Sequence, residues 1–593
     1  MRRNQQGPLL LFSQAMERKR RGARRRDSLE TQNPTGRQRH YYFAVAAILA
    51  CVAFEVYGRA LHGPFLYDDF SLPFYKPRFP TESFSAWITG VRPLLMFSYW
   101  INFQLSGRDT YSYHILNLIL HLANSSVVFL IVRRILARGQ VERWQLETLS
   151  VFAGALFLLH PIQTESIAYI AGRSEALSAL FFLCAFTMFL YRPSPSIDWR
   201  RSALILILFA CALASKEHTV ILPILLLITD LFWSSEERII AVRRNWRLYL
   251  PMLSGSLLAA TFIWTMLNDS TSAGFDRAGV NWLSYALTEC RVLFEYLQLF
   301  LFPVGQNFDH DVPWSPDRFD LGSVVALLGM LALAVVAWRL RRRFPVGSYG
   351  FLIFLLLLAP TSSFIPIKDA IAEHRLYLPM LGLVLVACEC LRHFSRERTA
   401  TLALATTLIV AATIVTYNRT GVWASEAAIW KDTVAKSPNK VRDYGHLVHG
   451  LVREHRCREA LDMLSEVSRR IAPDAALLSN WSFAYECVNE PEHALEKLQQ
   501  SAAQMPQPSI YFNMARQQIR LHRAQDAVQS LNRALELDPS LESAYVMRAG
   551  ILEGEGNFVA ASRDYEAALR LNPQDGQAFA HLQRISGADP TVQ

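Results

Sequence analysis

The sequence predicts an all-α chain in two parts, a polytopic helical membrane region followed by a soluble helical solenoid. Three observations carry this expectation. Of 593 residues, 51% are hydrophobic and 19% charged, against about a quarter charged in ordinary soluble proteins. The apolar residues gather in long runs between residues 42 and 417. Beyond residue 420 the composition turns soluble and helical, with prolines recurring at Pro438, Pro473, Pro506, Pro539 and Pro573.

The formal net charge is +9. Residues 1–40 hold eleven Lys/Arg against three Asp/Glu, in runs such as Arg18-Lys19-Arg20-Arg21 and Arg24-Arg25-Arg26. They have no apolar periodicity and read as a disordered basic tail. The other 553 residues are close to neutral, so the basic balance does not point to nucleic acid as a partner. The first apolar run, 42–61, is too long for the core of a cleaved signal peptide and has no small-residue cleavage site, so it reads as an uncleaved anchor.

A span needs roughly 20 apolar residues, somewhat fewer where the flanks snorkel. Eleven segments qualify: 42–61, 114–133, 148–166, 174–192, 201–215, 218–234, 248–267, 321–338, 348–362, 376–392 and 400–417. Clusters at Arg133-Arg134 with Arg138, Arg200-Arg201, Arg243-Arg244 with Arg247, Arg339 with Arg341–Arg343, and Arg392 with Arg396 and Arg398 fall at alternate connections, on the same side as the tail. The positive-inside rule makes that side cytoplasmic and leaves the C-terminus outside. The stretch Trp282–Phe302, interrupted by Glu289, Arg291 and Glu295, breaks the alternation. It is expected as an interfacial or re-entrant helix on the outer face.

The proline interval of 33–35 residues indicates tetratricopeptide repeats. The last repeat offers Tyr545, Ala549, Leu552, Ala561, Tyr565, Ala568 and Pro573, and its predecessor Tyr511, Ala515, Ala527, Leu531, Ala534 and Pro539. Two weaker repeats carry Ala460 and Ala494, and Gln577–Ile585 reads as a closing helix. The layout is thus tail 1–40, membrane domain 41–417, connecting helix 418–438 and repeat domain 439–593. Eight cysteines in this length exclude a disulfide scaffold. Cys457 and Cys487 fall near inter-helix turns of adjacent repeats; a bond is permitted outside the cytoplasm, but two unpaired thiols is the plainer expectation.

Ionisable residues gather on the outer face of the membrane region: Tyr67-Asp68-Asp69, Arg92-Pro93, His160 to Glu165, Gly172 to Glu175, Ser215 to His218, Asn307 to Asp311, and Lys368 to Tyr377. Such groups at membrane depth are costly, and a ring of them on one face suggests a cavity. Each also has a plainer reading. Asp68-Asp69 could be a solvated turn. Asp309-His310-Asp311 could ligate a divalent ion, although three adjacent residues seldom face one ion. Arg92, Arg173, Lys216 and Arg375 could snorkel. His160 could cap or kink the span before Pro161, Glu165 could pair with Arg173, and Glu55 is expected to pair with Arg59 at i,i+4.

Phe65-Leu66-Tyr67-Asp68-Asp69, Arg92-Pro93-Leu94, Tyr113 to Asn117, His160-Pro161 with Thr164-Glu165, Gly172-Arg173, Ser215-Lys216-Glu217 and Glu373 to Pro379 resemble, in order, the motifs of the transmembrane-and-tetratricopeptide O-mannosyltransferases and their bacterial relatives. The resemblance covers about residues 41–585. It implies a membrane glycosyltransferase of the GT-C fold that takes a sugar, mannose or a similar hexose, from a polyprenyl-phosphate carrier. Transfer would be to a protein acceptor held by the repeats, on the outer, periplasmic face of a bacterial inner membrane. Where family members often have Glu-Arg-Tyr-Leu-Tyr, this chain has Glu373-His374-Arg375-Leu376-Tyr377, with the cation displaced by one position.

On this resemblance Asp68 or Asp69 is the general base for the acceptor hydroxyl. Arg92, Arg173, Lys216 and Arg375 would bind the lipid phosphate. His160, Glu165, Glu217 and Glu373 would orient them or meet sugar hydroxyls. Relatives differ in needing a divalent metal such as Mg or Mn, which the sequence leaves open. The competing readings are a transferase acting on lipid or glycan and a non-catalytic anchor that displays the repeats.

Overall fold

The computed structural model describes residues 36–75, 84–88, 90–233, 242–269, 281–315, 320–362, 365–395 and 397–588. The basic tail up to residue 35, and Arg396, lie outside them. The chain divides into two compact units, with the boundary between Ala424 and Ser425. Both are helical, and no β-strand occurs among the described residues.

The main helices of the first unit are α1 (Gly36–Tyr57), α2 (Pro93–Ser106), α3 (Thr110–Arg138), α4 (Arg143–Leu159), α5 (Arg173–Leu190), α6 (Trp199–Leu213), α7 (Leu222–Trp233), α8 (Trp246–Asp269), α9 (Trp282–Leu301), α10 (Leu321–Leu340), α11 (Pro345–Leu358), α12 (Met380–Phe394) and α13 (Arg398–Val422). Each of the eleven apolar segments contains a helix, with turns at 359–362 and 377–379. Five stretches are long and apolar enough to cross a membrane alone: Gln38–Ala60, Thr110–Arg138, Ile170–Leu190, Leu321–Leu340 and Arg398–Val422. A sixth candidate is α4 taken with the turns at Pro161–Ala168, bent by 46°. The bend falls at Pro161, which lacks the amide that would continue the helix.

Several helices start at an acidic or amide cap that holds an orphan amide. Asp109 accepts from Tyr111 N at 3.2 Å before α3, and Asn281 from Ser284 N at 2.7 Å before α9. Helices α11 and α12 cross at Gly350 and Gly382, where a Cβ on either residue would run into the other's carbonyl oxygen. Small residues permit this approach where no hydrophobic effect drives helices together.

Helix α9 is one unbroken helix of 20 residues. It buries Tyr285, Thr288, Glu289, Val292, Tyr296 and Leu299, so its interrupting glutamate faces protein. The expected Glu55–Arg59 pair does not form: Arg59 lies over the Tyr417 ring at 4.1 Å, a cation–π contact that draws the guanidinium toward α13.

The second unit opens with α14 (Glu426–Lys436). Four antiparallel pairs follow: α15 (Val441–Arg453) with α16 (Cys457–Val467), α17 (Ala475–Cys487) with α18 (Pro491–Gln504), α19 (Pro508–Arg520) with α20 (Ala524–Leu537), and α21 (Glu542–Gly554) with α22 (Phe558–Leu571). Helix α23 (Gly576–Ala588) closes the array. Ala460, Ala494, Ala527 and Ala561 recur at the same place in each pair, all fully buried, where nothing larger fits between crossing helices. Each inter-helix turn passes through one left-handed residue: His455 (φ +59°), Asn489 (+64°), His522 (+58°) and Gly556 (+78°). This is the conformation that ends a helix sharply, and glycine adopts it most easily.

Against the plainer expectation, Cys457 and Cys487 are disulfide-bonded, with Cα atoms 5.8 Å apart. The repeat stacks the start of α16 on the end of α17, a proximity invisible in the spacing of two cysteines. Alkylating the denatured, unreduced chain is expected to label six of its eight cysteines, and all eight after reduction. Labelling of eight without reductant would remove the bridge. Cys487→Ser is expected to lower the stability of the repeats by about 3–4 kcal/mol in denaturant titrations.

Candidate functional site

The candidate site is built where helix ends and short turns of the first unit converge. Tyr67–Ser71 forms a 3-10 turn. Asp69 Oδ2 accepts from Leu66 N at 2.9 Å, and Tyr67 enters the turn at φ +38°, a strained left-handed conformation for a residue with a side chain. The backbone of Asp68 is pinned from outside the turn, its N–H donating to Tyr169 Oη at 2.8 Å.

The two aspartates therefore differ. Asp69 is 2% exposed, and its Oδ1 meets no hydrogen-bond donor. Burial holds its carboxyl well above the ordinary carboxylate range, against the pull of the Leu66 and Ala171 amides. Asp68 is exposed. Loss of solvation to the surrounding protein raises its carboxyl too, with the His374 charge and the Tyr169 hydroxyl pulling the other way.

Near this turn stand an arginine, a lysine and a histidine, each held by a carboxylate. Arg92, just before α2, grips Glu217 in a bidentate pair, Nε to Oε2 at 2.9 Å and Nη2 to Oε1 at 2.6 Å. Burial works to raise the Glu217 carboxyl, but the Arg92 charge and hydrogen bonds win and bring it down to about 2. Lys216 Nζ donates to Glu175 Oε1 at 2.5 Å and to Ser174 Oγ at 3.2 Å, and His218 lies 3.7 Å from the other Glu175 oxygen. His374 Nδ1 lies 2.6 Å from Glu165 Oε1, and its amide donates to Glu165 Oε2 at 3.3 Å. His374 and Lys216 both act electrostatically on Asp68, and Lys216 acts with Arg92 on Glu217, so the set forms one charge cluster.

Four of the sequence candidates lie elsewhere. Arg173 is fully buried, with every donor aimed at a neutral group. Its Nε donates to Asn117 Oδ1 at 2.9 Å, Nη2 to Tyr113 O at 2.9 Å and Nη1 to Ser98 O at 3.2 Å, and the guanidinium lies 4.5 Å from the Tyr99 ring centre. It is a structural hub out of a phosphate's reach, and Glu165 pairs with His374 in its place. His160 caps the turn at Pro161, its Nδ1 accepting from Ile162 N at 3.2 Å, and stacks on Phe300. Glu373 is buried under the loop 306–310, accepting from Gln306 Nε2 at 2.8 Å and Asn307 N at 2.6 Å, with His310 at 3.2 Å. Arg375 turns inward to the carbonyls of Ala370 (2.8 Å) and Asp369 (2.6 Å), 4.0 Å from Glu289.

His374, the neighbour of the displaced arginine, thus faces the cluster while Arg375 does not. Sequence reasoning placed His374 and Glu175 in the outer-face ring without giving them a role, and missed Tyr169. Glu175 had a signal, a carboxylate beginning an apolar helix. Tyr169 had none, because its partner is a backbone amide 101 residues away. Beside Tyr169 stand Phe308 and Trp423, with ring centres 5.3 and 6.1 Å from its own. Gly172 lets the chain fold back here, since a Cβ would lie 2.6 Å from Ser166 O.

Among the described residues no group of three or more His, Cys, Asp or Glu side chains gathers as a metal ligand set. His310 Nε2 lies 3.2 Å from Glu373, and the Asp309-His310-Asp311 run forms no such group.

No family model matches the chain. Among curated proteins it is similar to protein O-mannosyl-transferase TMTC3 of Homo sapiens, 25% identical over 544 residues, which cover 83% of this chain and 58% of that protein. It is also similar to protein O-mannosyl-transferase F38B6.6 of Caenorhabditis elegans, 25% identical over 370 residues, covering 60% and 50%. The chain spans about half the length of the curated relatives it matches. These similarities agree with the resemblance carried by the ordered motifs. Among solved structures it is similar to the first TPR of Spaghetti (RPAP3) bound to an HSP90 peptide, with 26% identity, 19% of this chain, 92% of that chain and a TM-score of 0.19. YrrB, described as a TPR protein with an unusual peptide-binding site, gives 16%, 27%, 81% and 0.24.

Arg173→Met would strand Asn117 Oδ1 in a buried place and remove a second donor from two helix carbonyls. A loss of roughly 2–3 kcal/mol is expected, read as a fall of several degrees in the thermal midpoint of the purified protein. Arg92→Met, at a pair about a third exposed, should move that midpoint far less. Equal midpoints for Arg173→Met and the parent would remove the hub.

Proposed function

We propose that this chain is an integral-membrane glycosyltransferase that moves a hexose from a polyprenyl-phosphate carrier to a hydroxyl of a protein acceptor, which the repeats bind. The observation that carries the reading is the exposed Asp68 carboxylate facing Lys216 and His374, with Arg92 in the same charge cluster. Lys/Arg placement supports a non-cytoplasmic location for this face, and the Cys457–Cys487 bridge supports an oxidising compartment for the repeats.

In the transfer, Asp68 accepts the proton of the acceptor hydroxyl as that oxygen bonds to the anomeric carbon. The bond from this carbon to the phosphate oxygen breaks, and the polyprenyl phosphate leaves with the electron pair. Positive character develops on the sugar ring, as in glycoside hydrolysis, and negative charge on the phosphate. Lys216, His374 and Arg92 are held by Glu175, Glu165 and Glu217, so they need not reorganise when that charge appears. Beside the Arg92–Glu217 pair lies a cavity of about 270 Å³ lined by Val91, Pro93, Leu213, Ala259 and Phe262. Its apolar wall suits the isoprenoid chain next to its phosphate. Asp69 shapes the turn that presents Asp68 and is too buried to meet an acceptor.

The test is transfer by the purified full-length chain from a polyprenyl-phosphate hexose to candidate acceptor peptides. Asp68→Asn is expected to slow labelling by about 100-fold or more while the protein stays folded. Unchanged labelling would remove the base, and no labelling from any carrier would favour the display scaffold. A base works only when ionised, and Asp68 is shifted upward. The rate should therefore fall on acidification at a pH above the ordinary aspartate value of about 3.9. An acid limb at or below that value would contradict the assignment.

A further inference from the structure

Outside the charge cluster, a cavity of about 540 Å³ opens between α1, α3 and α4. Its walls include Ala46, Leu49, Phe129, Val151 and Leu158. The polar side chains that line it include two serines, both internally satisfied: Ser125 Oγ donates to Gly154 O at 2.7 Å and Ser126 Oγ to Leu122 O at 2.9 Å. Such a space gives water or a sugar little to bond to and suits a hydrocarbon chain.

One end of the cavity is charged. Tyr42, which lines it, packs edge-on to Phe129 at 5.3 Å. One helical turn beyond Phe129 is Arg133, whose guanidinium sits against the phenols of Tyr42 and Tyr191. Arg133 Nε is buried and meets no acceptor. The carboxylate that also acts on Tyr42, Glu147, is held by Gln38 at 3.0 Å and Arg143 at 3.5 Å. An arginine hydrogen-bonded to two phenols, with its Nε unpaired, thus stands beside Tyr42 at one end of an apolar groove, on the side of the membrane region where the arginine clusters lie.

We propose that this groove binds one anionic glycerophospholipid, with an acyl chain along Ala46, Leu49 and Leu158 and its phosphate on Arg133. The charge selects the headgroup and the cavity selects a single chain, so both parts of the lipid are recognised. The site lies apart from the residues assigned to transfer, and its occupancy does not depend on that reading.

The test is native mass spectrometry of the full-length protein released from nanodiscs of phosphatidylcholine mixed with phosphatidylglycerol. One phosphatidylglycerol is expected to remain per chain in preference to phosphatidylcholine. Arg133→Gln should reduce that preference about five-fold, the discrimination one arginine near a headgroup supplies, and Arg133→Lys should keep most of it. Ala46→Phe, which fills the groove, should release the bound lipid of either kind; Ala50→Leu does the same if the first variant fails to fold. Equal retention of the two lipids, an unchanged preference in Arg133→Gln, or full retention in both filled variants would each overturn the site. Displacement of the phosphatidylglycerol by added polyprenyl phosphate at equal concentration would assign the groove to the carrier and overturn the phospholipid.

Discussion

The guanidinium of Arg173 has neither a carboxylate partner nor access to water, and the order of the first unit depends on how that charge is satisfied. It is buried at the start of α5, where an uncompensated cation would be prohibitive. It reaches α2 through Ser98 and α3 through Asn117 and Tyr113. Asn117 passes the constraint on, its Nδ2 donating to the carbonyls of Ile167, Tyr169 and Ile170 at 3.2–3.4 Å. Tyr99, stacked on the guanidinium, donates to Ile170 O at 2.9 Å. The turn that carries Glu165 and Tyr169 is therefore hung from one arginine, and Asp68 is in turn pinned to Tyr169. Position at the site is inherited from a residue that does not touch it.

Around this hub the half-buried charges of the cluster obey a second rule. Each cation that faces the cluster is bonded to its own carboxylate, and each carboxylate comes from a different stretch of chain. Such pairs contribute little stability where water reaches them. Their value is geometric: a lysine, an arginine and a histidine are held in place before a ligand arrives. Neither Asp68 nor Asp69 has such a cation of its own among the described residues, and Asp68 is the exposed one of the two.

Much of this was legible in the sequence because it is local. Apolar runs made the helices of the first unit readable, and a 34-residue rhythm of proline and alanine made the repeats readable. Ionisable residues in the connecting turns of the first unit pointed to Asp68, Arg92, Glu165, Lys216 and Glu217, which the structure brings into one charge cluster. What could not be read were choices between neighbours. Glu373–Leu376 is a 3-10 turn, in which successive side chains point about a third of a circle apart. His374 therefore faces the cluster while Arg375 faces the interior, whatever their charges suggest. Asp68 and Asp69 are sorted likewise, by a turn entered through a left-handed tyrosine. The pairing of Cys457 with Cys487, and of Arg59 with Tyr417, depends on distances that a linear spacing does not contain.

The bridge between the first two repeats has a consequence for how the second unit breathes. In a solenoid each repeat is stabilised by its neighbours alone, so opening normally begins at an end and spreads inward one repeat at a time. Cys457 belongs to the first pair and Cys487 to the second, 30 residues apart. Neither pair can drift free of the other. Helices α15 to α18 are therefore expected to exchange their amide hydrogens as one cooperative block, with fraying favoured at the other end of the array.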